Sequence, residues 1–201
     1  LDGAGEELDV ARLARLDAAR SRNLLRRYLE LRGVAVRREA LHAAWAQMLE
    51  AAEDAEPRID FGPVALRRFQ GRLLLTPVSP RPVIAQTRAW RGESELDLGV
   101  AGRLLFEPAI GRGVRLPERA SVRLRAGGER LRPDARRPSR TLKNLLREAA
   151  VPPWLRDRLP LVYVDGQLAW AAEIGADAAF KAAPDETGWL IVWRRPGSAP
   201  P

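Results

Sequence analysis

Residues 151–170, VPPWLRDRLPLVYVDGQLAW, constrain the fold more than any other stretch of this sequence. Pro152 and Pro153 each lock φ at about −65° and remove a backbone donor, so no helix can run through them. Further on, Asp165-Gly166 lies between LVYV and QLAW, and this pair suits the two positive-φ positions of a type I′ hairpin turn. The passage therefore reads as a helix stop, a stiff corner and a β-hairpin, with Val151, Trp154 and Leu155 as core anchors and Asp157 bracing its arginine neighbours. None of its side chains is an evident nucleophile, base or metal ligand.

The segment just before the corner is strongly basic. From Arg123 to Arg147 nine basic residues stand against Glu129 and Asp134, a net charge of +7 out of +8 for the whole chain. Charge concentrated in this way is the footprint of a polyanion partner. SRTLKNLLREAA predicts a helix capped by Ser139, with Leu142, Leu145, Leu146 and Ala149 on its apolar face and Arg140, Lys143 and Arg147 on the opposite one. With Arg130, Arg132, Arg136 and Arg137 beside it, that edge is the first candidate for phosphate binding. Arg156, in the corner itself, is a further candidate.

The first half predicts two helices. One is capped by Asp17, runs to about Arg32 and closes at Gly33, with Leu24, Leu25, Tyr28 and Leu29 inward and Arg22 and Arg26 on another face. Those two arginines join the candidate phosphate contacts. The second spans Arg38 to Ala55, with Leu41, Ala44, Trp45, Met48 and Leu49 inward. RIDFG, VALRRF and GRLLLTPV then turn strand-like, and the proline-rich VSPRPV is the best linker candidate. The expected architecture is multi-domain: an all-α N-terminal domain with a short β-hairpin over residues 1–77, a linker at 78–83, and an α+β domain over 84–201. The last has a small, mostly antiparallel sheet with one main helix.

Catalytic equipment is scarce. Cysteine is absent and His42 is the only histidine, so neither a Ser-His-Asp triad nor a multi-histidine metal site can be assembled. Gly127-Gly128 lacks the spacing and lysine of a phosphate loop. Catalytic residues and metal ligands are accordingly expected to be none, and no run of apolar residues is long enough for a membrane span. A cytoplasmic setting fits. A chain that opens on Leu1, with Met48 its only methionine, is expected to be a piece of a longer protein.

RTLKNLLREAAVPPWLRDRLPLVYVDGQLAWAAEIG, residues 140–175, closely resembles the C-terminal domain of bacterial tRNA(Ile)-lysidine synthetase. Arg140, Leu142, Lys143, Glu148, Val151 to Asp157, Pro160 and Leu161 carry the resemblance, which is most family-like over 121–193. SRNLLRRYLELRG and EDAEPRIDFGPVALRRFQGRLLL resemble the family's substrate-binding domain more weakly. The resemblance implies an enzyme that uses ATP, with magnesium, to adenylate the wobble cytidine of tRNA(Ile) and joins lysine to it. The family's catalytic domain carries an SGGxDS loop, which this sequence lacks, so ATP and lysine would belong to a missing N-terminal domain and no cofactor to this segment. The implied partner is tRNA(Ile), with a homodimer left open. Two other readings stand beside it: a non-enzymatic basic nucleic-acid-binding module, and a protein-interaction domain whose charge serves solubility.

Overall fold

The computed structural model describes residues 7–52, 55–78, 87–117 and 120–195. The chain divides into two compact units, Leu1–Pro80 and Arg81–Pro201. Of the expected linker at 78–83, only Val78 lies within the described residues.

The first unit is not all-α. Its helices α1 (Val10–Ala14), α2 (Ala18–Glu30) and α3 (Arg38–Glu50) accompany strands β1 (Glu7–Asp9), β2 (Arg58–Phe61), β3 (Val64–Phe69) and β4 (Arg72–Pro77). The strands form one antiparallel sheet in the order β1-β4-β3-β2. Tight turns at Gly62 and at Gln70-Gly71, all with positive φ, fold β2, β3 and β4 into a meander. The fourth strand was invisible because β1 pairs far along the chain, Glu7 opposite Leu74, and three residues are too few to show alternation.

Asp17 caps α2 as expected, its carboxylate accepting the Arg20 N–H at 2.9 Å. Leu25, Tyr28 and Leu29 are buried, but Leu24 is 47% exposed and Ser21 takes its place in the core. The buried serine has a partner: Trp45 Nε1 donates to its Oγ at 2.8 Å, which removes the cost of an unpaired buried hydroxyl. On α3, Leu41, Ala44 and Met48 are buried, Trp45 and Leu49 are half-buried, and His42 is exposed. The helix ends at Glu50, short of the expected Ala55, and Arg68 reaches over from β3 to this end. Its Nη1 donates to the carbonyls of Met48 at 3.0 Å and Ala51 at 2.9 Å, filling acceptors that a helix end leaves open.

The second unit holds three antiparallel sheets rather than one small sheet. Strands β5 (Arg88–Trp90), β8 (Ala120–Leu124), β11 (Pro160–Val164), β12 (Gln167–Ala171) and β13 (Gly175–Ala176) form the largest, in the order β13-β12-β11-β8-β5. Strands β6 (Glu95–Asp97), β7 (Arg103–Ile110) and β14 (Thr187–Arg194) form the second. The third is a ribbon of β9 (Arg130–Leu131) and β10 (Arg140–Thr141). Its helices are short: α4 (Leu142–Glu148) and the single turn α5 (Pro153–Arg156). One core joins them, including Trp90, Phe106, Leu142, Leu146, Leu159 and Leu161.

The corner behaves much as its residues dictate. Helix α4 closes with the Val151 N–H on the Leu146 carbonyl at 2.9 Å and the Ala150 N–H on that of Arg147 at 3.1 Å, a Schellman closure. Pro153 then opens α5, and Asp165 (φ 49°) and Gly166 (φ 78°) make the type I′ turn. Val151 is buried, whereas Trp154 and Leu155, expected as core anchors, are only half-buried; Leu159 takes the fully buried position. The αL position of the closure is filled by Ala150 at φ 54°, where glycine carries no Cβ penalty. Ala150→Gly is expected to stabilise the unit by about 1 kcal/mol, measured as a rise in the urea midpoint at constant m.

Candidate nucleic-acid interface

The basic segment folds as a hairpin followed by a short helix. Ser139 does not cap α4, and Arg140 is not on it. Arg140–Thr141 is instead strand β10, with Arg140 opposite Leu131 and Thr141 opposite Arg130. The Leu142 N–H bonds the Glu129 carbonyl at 2.8 Å, so ladder pairing satisfies the backbone where a helix cap was expected. Residues 132–139 become the hairpin loop, and Arg130 Nη2 closes it on the Ser139 carbonyl at 2.5 Å.

The loop is braced from outside. Asp177 accepts the Arg132 N–H at 2.7 Å on one carboxylate oxygen and the Ala179 N–H at 3.0 Å on the other. The Arg132 carbonyl takes the Ala178 N–H at 2.8 Å, and Lys181 Nζ donates to the Pro133 carbonyl at 2.7 Å. Within the loop, Asp134 accepts the Arg136 N–H at 2.9 Å. At the hairpin's foot Glu129 accepts the N–H groups of Ala126 at 2.6 Å and Gly127 at 2.8 Å, with Arg125 Nε 3.6 Å from its second oxygen. Charge counting entered Glu129 only as a counter-charge, and it gave Asp177 and Lys181 no part in the basic segment. Only the turn-like spacing of Asp177 before Ala178-Ala179 hinted at a cap, and its second partner lies 45 residues away. Asp177→Ala is expected to speed amide exchange at Arg132 and Ala179 by at least tenfold, read by hydrogen exchange, because both donors lose their acceptor.

These contacts sort the cations. Arg140 is committed to Glu148, to whose two carboxylate oxygens its Nη1 and Nη2 donate. Arg137 lies 3.7 Å from Asp134, and Arg132 is half-buried. Arg136, Lys143 and Arg147 are exposed, with no hydrogen bond or ion pair from their side chains among the described residues. The buried face of α4 is Leu142, Leu145 and Leu146, and Ala149 is exposed. Among the described candidate residues of this segment, Arg136 in the hairpin loop and Lys143 and Arg147 on the outer face of α4 are exposed without a partner, whereas Arg140 of the expected edge is engaged by Glu148.

The Arg140 hydrogen bond, reinforced by the charges of Arg140, Arg147 and Arg137, holds the Glu148 carboxyl below its usual range. A depressed carboxylate pKa means the pairing contributes above the unfolded value and is lost as pH falls through the folded one. Arg140→Ala is expected to move the Glu148 titration, followed by NMR, upward toward the ordinary carboxylate range.

The remaining candidates are partly occupied. Arg156 Nε donates to the Val151 carbonyl at 2.8 Å, so it ties the corner together. In the first unit Arg22 stacks on Trp45 at 5.4 Å, and Arg26 is half-buried with a buried, unbonded Nε. No group of three His, Cys, Asp or Glu that could hold a metal ion occurs among the described residues, and none of their helices is long and apolar enough to cross a membrane.

Residues 8–74 match the profile of the TilS substrate binding domain and residues 120–193 that of the TilS substrate C-terminal domain. Among curated relatives, the tRNA(Ile)-lysidine synthases of Aromatoleum aromaticum, Methylococcus capsulatus and Nitrosomonas europaea are 39%, 35% and 34% identical over 92%, 89% and 92% of this chain. The chain spans only 44%, 42% and 42% of those relatives' own lengths. A crystal structure of a TilS C-terminal domain is 23% identical, with a TM-score of 0.45 over 56% of this chain and 98% of that one.

Proposed function

We propose, for a chain whose residues 8–74 belong to the TilS substrate binding domain family and residues 120–193 to the TilS substrate C-terminal domain family, that it is the tRNA-gripping part of a tRNA(Ile)-lysidine synthase. The whole protein would be an ATP-dependent ligase joining lysine to the wobble cytidine of tRNA(Ile). Neither a phosphate loop nor a metal-binding cluster among the described residues fits ATP or magnesium, so no step of that chemistry is assigned to this segment. A cytoplasmic setting and a second copy of the chain as partner belong to the same reading.

The observation that carries this function is the braced hairpin 130–141 with α4, which presents Arg136, Lys143 and Arg147 unpaired. A-form RNA hides its base edges in a deep major groove, so a protein reads it by shape, 2′-hydroxyls and phosphates. A cationic ribbon backed by the short helix α4 suits that task. The test is fluorescence anisotropy with an isoleucine tRNA transcript and a DNA duplex of equal length over a salt series. Tighter binding to tRNA, with log K falling steeply against log salt, is expected; equal affinities would favour the basic module without tRNA function.

A further inference from the structure

On one face of the largest sheet, Arg123 of β8 stacks on the ring of Tyr163 of β11, its guanidinium carbon 3.7 Å from the ring centroid. The register makes them diagonal neighbours, since Tyr163 lies opposite Ser121 and Arg123 opposite Leu161. Leu161, on the same face, is fully buried, whereas Arg123 is exposed and Tyr163 half-buried. The ring thus covers the guanidinium from one side, while Arg123 as a residue remains exposed to solvent. Among the described residues Arg123 has no carboxylate partner. Burial and the nearby charge of Glu129 push the Tyr163 hydroxyl above its ordinary pKa, so the ring stays neutral. Glu129 is also the residue that leads into β9, which places the stack at the foot of the cationic hairpin.

We infer that the exposed Arg123, held flat by Tyr163, is a stacking platform for one unpaired nucleobase of the bound RNA. This rests on the tRNA-binding reading above and adds a subsite that reads single-strandedness rather than charge. The chemistry fits: guanidinium planes and aromatic rings both stack unpaired bases, and a pre-held plane loses little freedom on doing so. The hairpin's unpaired cations would take the adjoining phosphates.

The test compares two RNA hairpins with the same stem, one blunt and one with a single-stranded 3′ extension carrying 2-aminopurine. The chain is expected to prefer the extended RNA by about tenfold and to quench the 2-aminopurine. Arg123→Lys keeps the charge and loses the plane, so preference and quenching should vanish while blunt-stem affinity holds. Tyr163→Phe keeps the ring and should behave as wild type, and melting curves of all three proteins check the fold. If Arg123→Lys weakens both RNAs by one factor, Arg123 is a simple phosphate contact and the platform is refuted. Blunt-stem binding without preference or quenching in the wild type refutes the platform and leaves the tRNA reading standing. Binding to neither RNA overturns both.

Discussion

Replacing Arg136, Lys143 and Arg147 together by alanine is expected to weaken tRNA binding by roughly 500-fold at about 0.1 M salt, and to lower the salt slope by roughly three. The estimate follows from counterion release, in which each phosphate neutralised contributes about 0.9 to the slope for a duplex and thus nearly a decade of affinity at that salt. All three side chains are exposed and unpaired among the described residues, so the melting temperature should hardly move. Arg140→Ala provides the contrast. Its guanidinium already faces Glu148, so its loss should disturb the pairing of β10 with α4 more than it disturbs the slope. Anisotropy titrations at several salt concentrations measure both quantities. An unchanged slope for the triple variant would show that these cations do not meet phosphates.

Gly113→Ala is expected to cost the second unit about 3 kcal/mol or more, seen as a fall in melting temperature of more than about 10 °C. Gly113 has φ 86°, and a Cβ placed there would sit 2.3 Å from the Trp189 carbonyl oxygen and 2.5 Å from its carbon. Both obstacles are backbone, so no rotamer change relieves them. The neighbouring pair makes the loss larger, because Val114 and Trp189 exchange both N–H···O bonds at 2.9 Å. Trp189 in turn packs edge-on against Trp90 at 4.9 Å in the core, so pushing the segment away would open that packing. Gly188 is hemmed in from the other side, with Arg112 O 2.1 Å from a built Cβ. Alanine there should be comparably costly. RNA affinity per folded molecule should survive in both variants, since neither glycine belongs to the cationic hairpin.

What the residues disclosed in advance were the local devices. Asp17 as a cap, Asp165-Gly166 as a turn and the proline corner are decided within a few positions, and each forms where its chemistry placed it. Errors arose where a distant partner decides. Ser139 had every local qualification as a cap, yet pairing of Arg140 with Leu131 drew that stretch into a strand. The first unit read as all-α because its helices are long and amphipathic. Its sheet depends on β1 finding β4 across the whole unit, and on short arginine-bearing strands with weak alternation. Arg68 shows the same limit. As a letter it is one more cation; in the fold it is buried and fills the open carbonyls of α3. Charge counting marked out the basic segment but could not separate arginines that hold the protein together from those without a partner. That separation needed the positions of Glu148 and Asp134.

Whether the braced hairpin and α4 are the surface that meets tRNA is decided by hydrogen exchange of the full chain with and without an isoleucine tRNA transcript. Protection concentrated over residues 130–147, with none on β6, β7 and β14, is the expected result. Protection confined to that three-stranded sheet, or to the first unit alone, would contradict it.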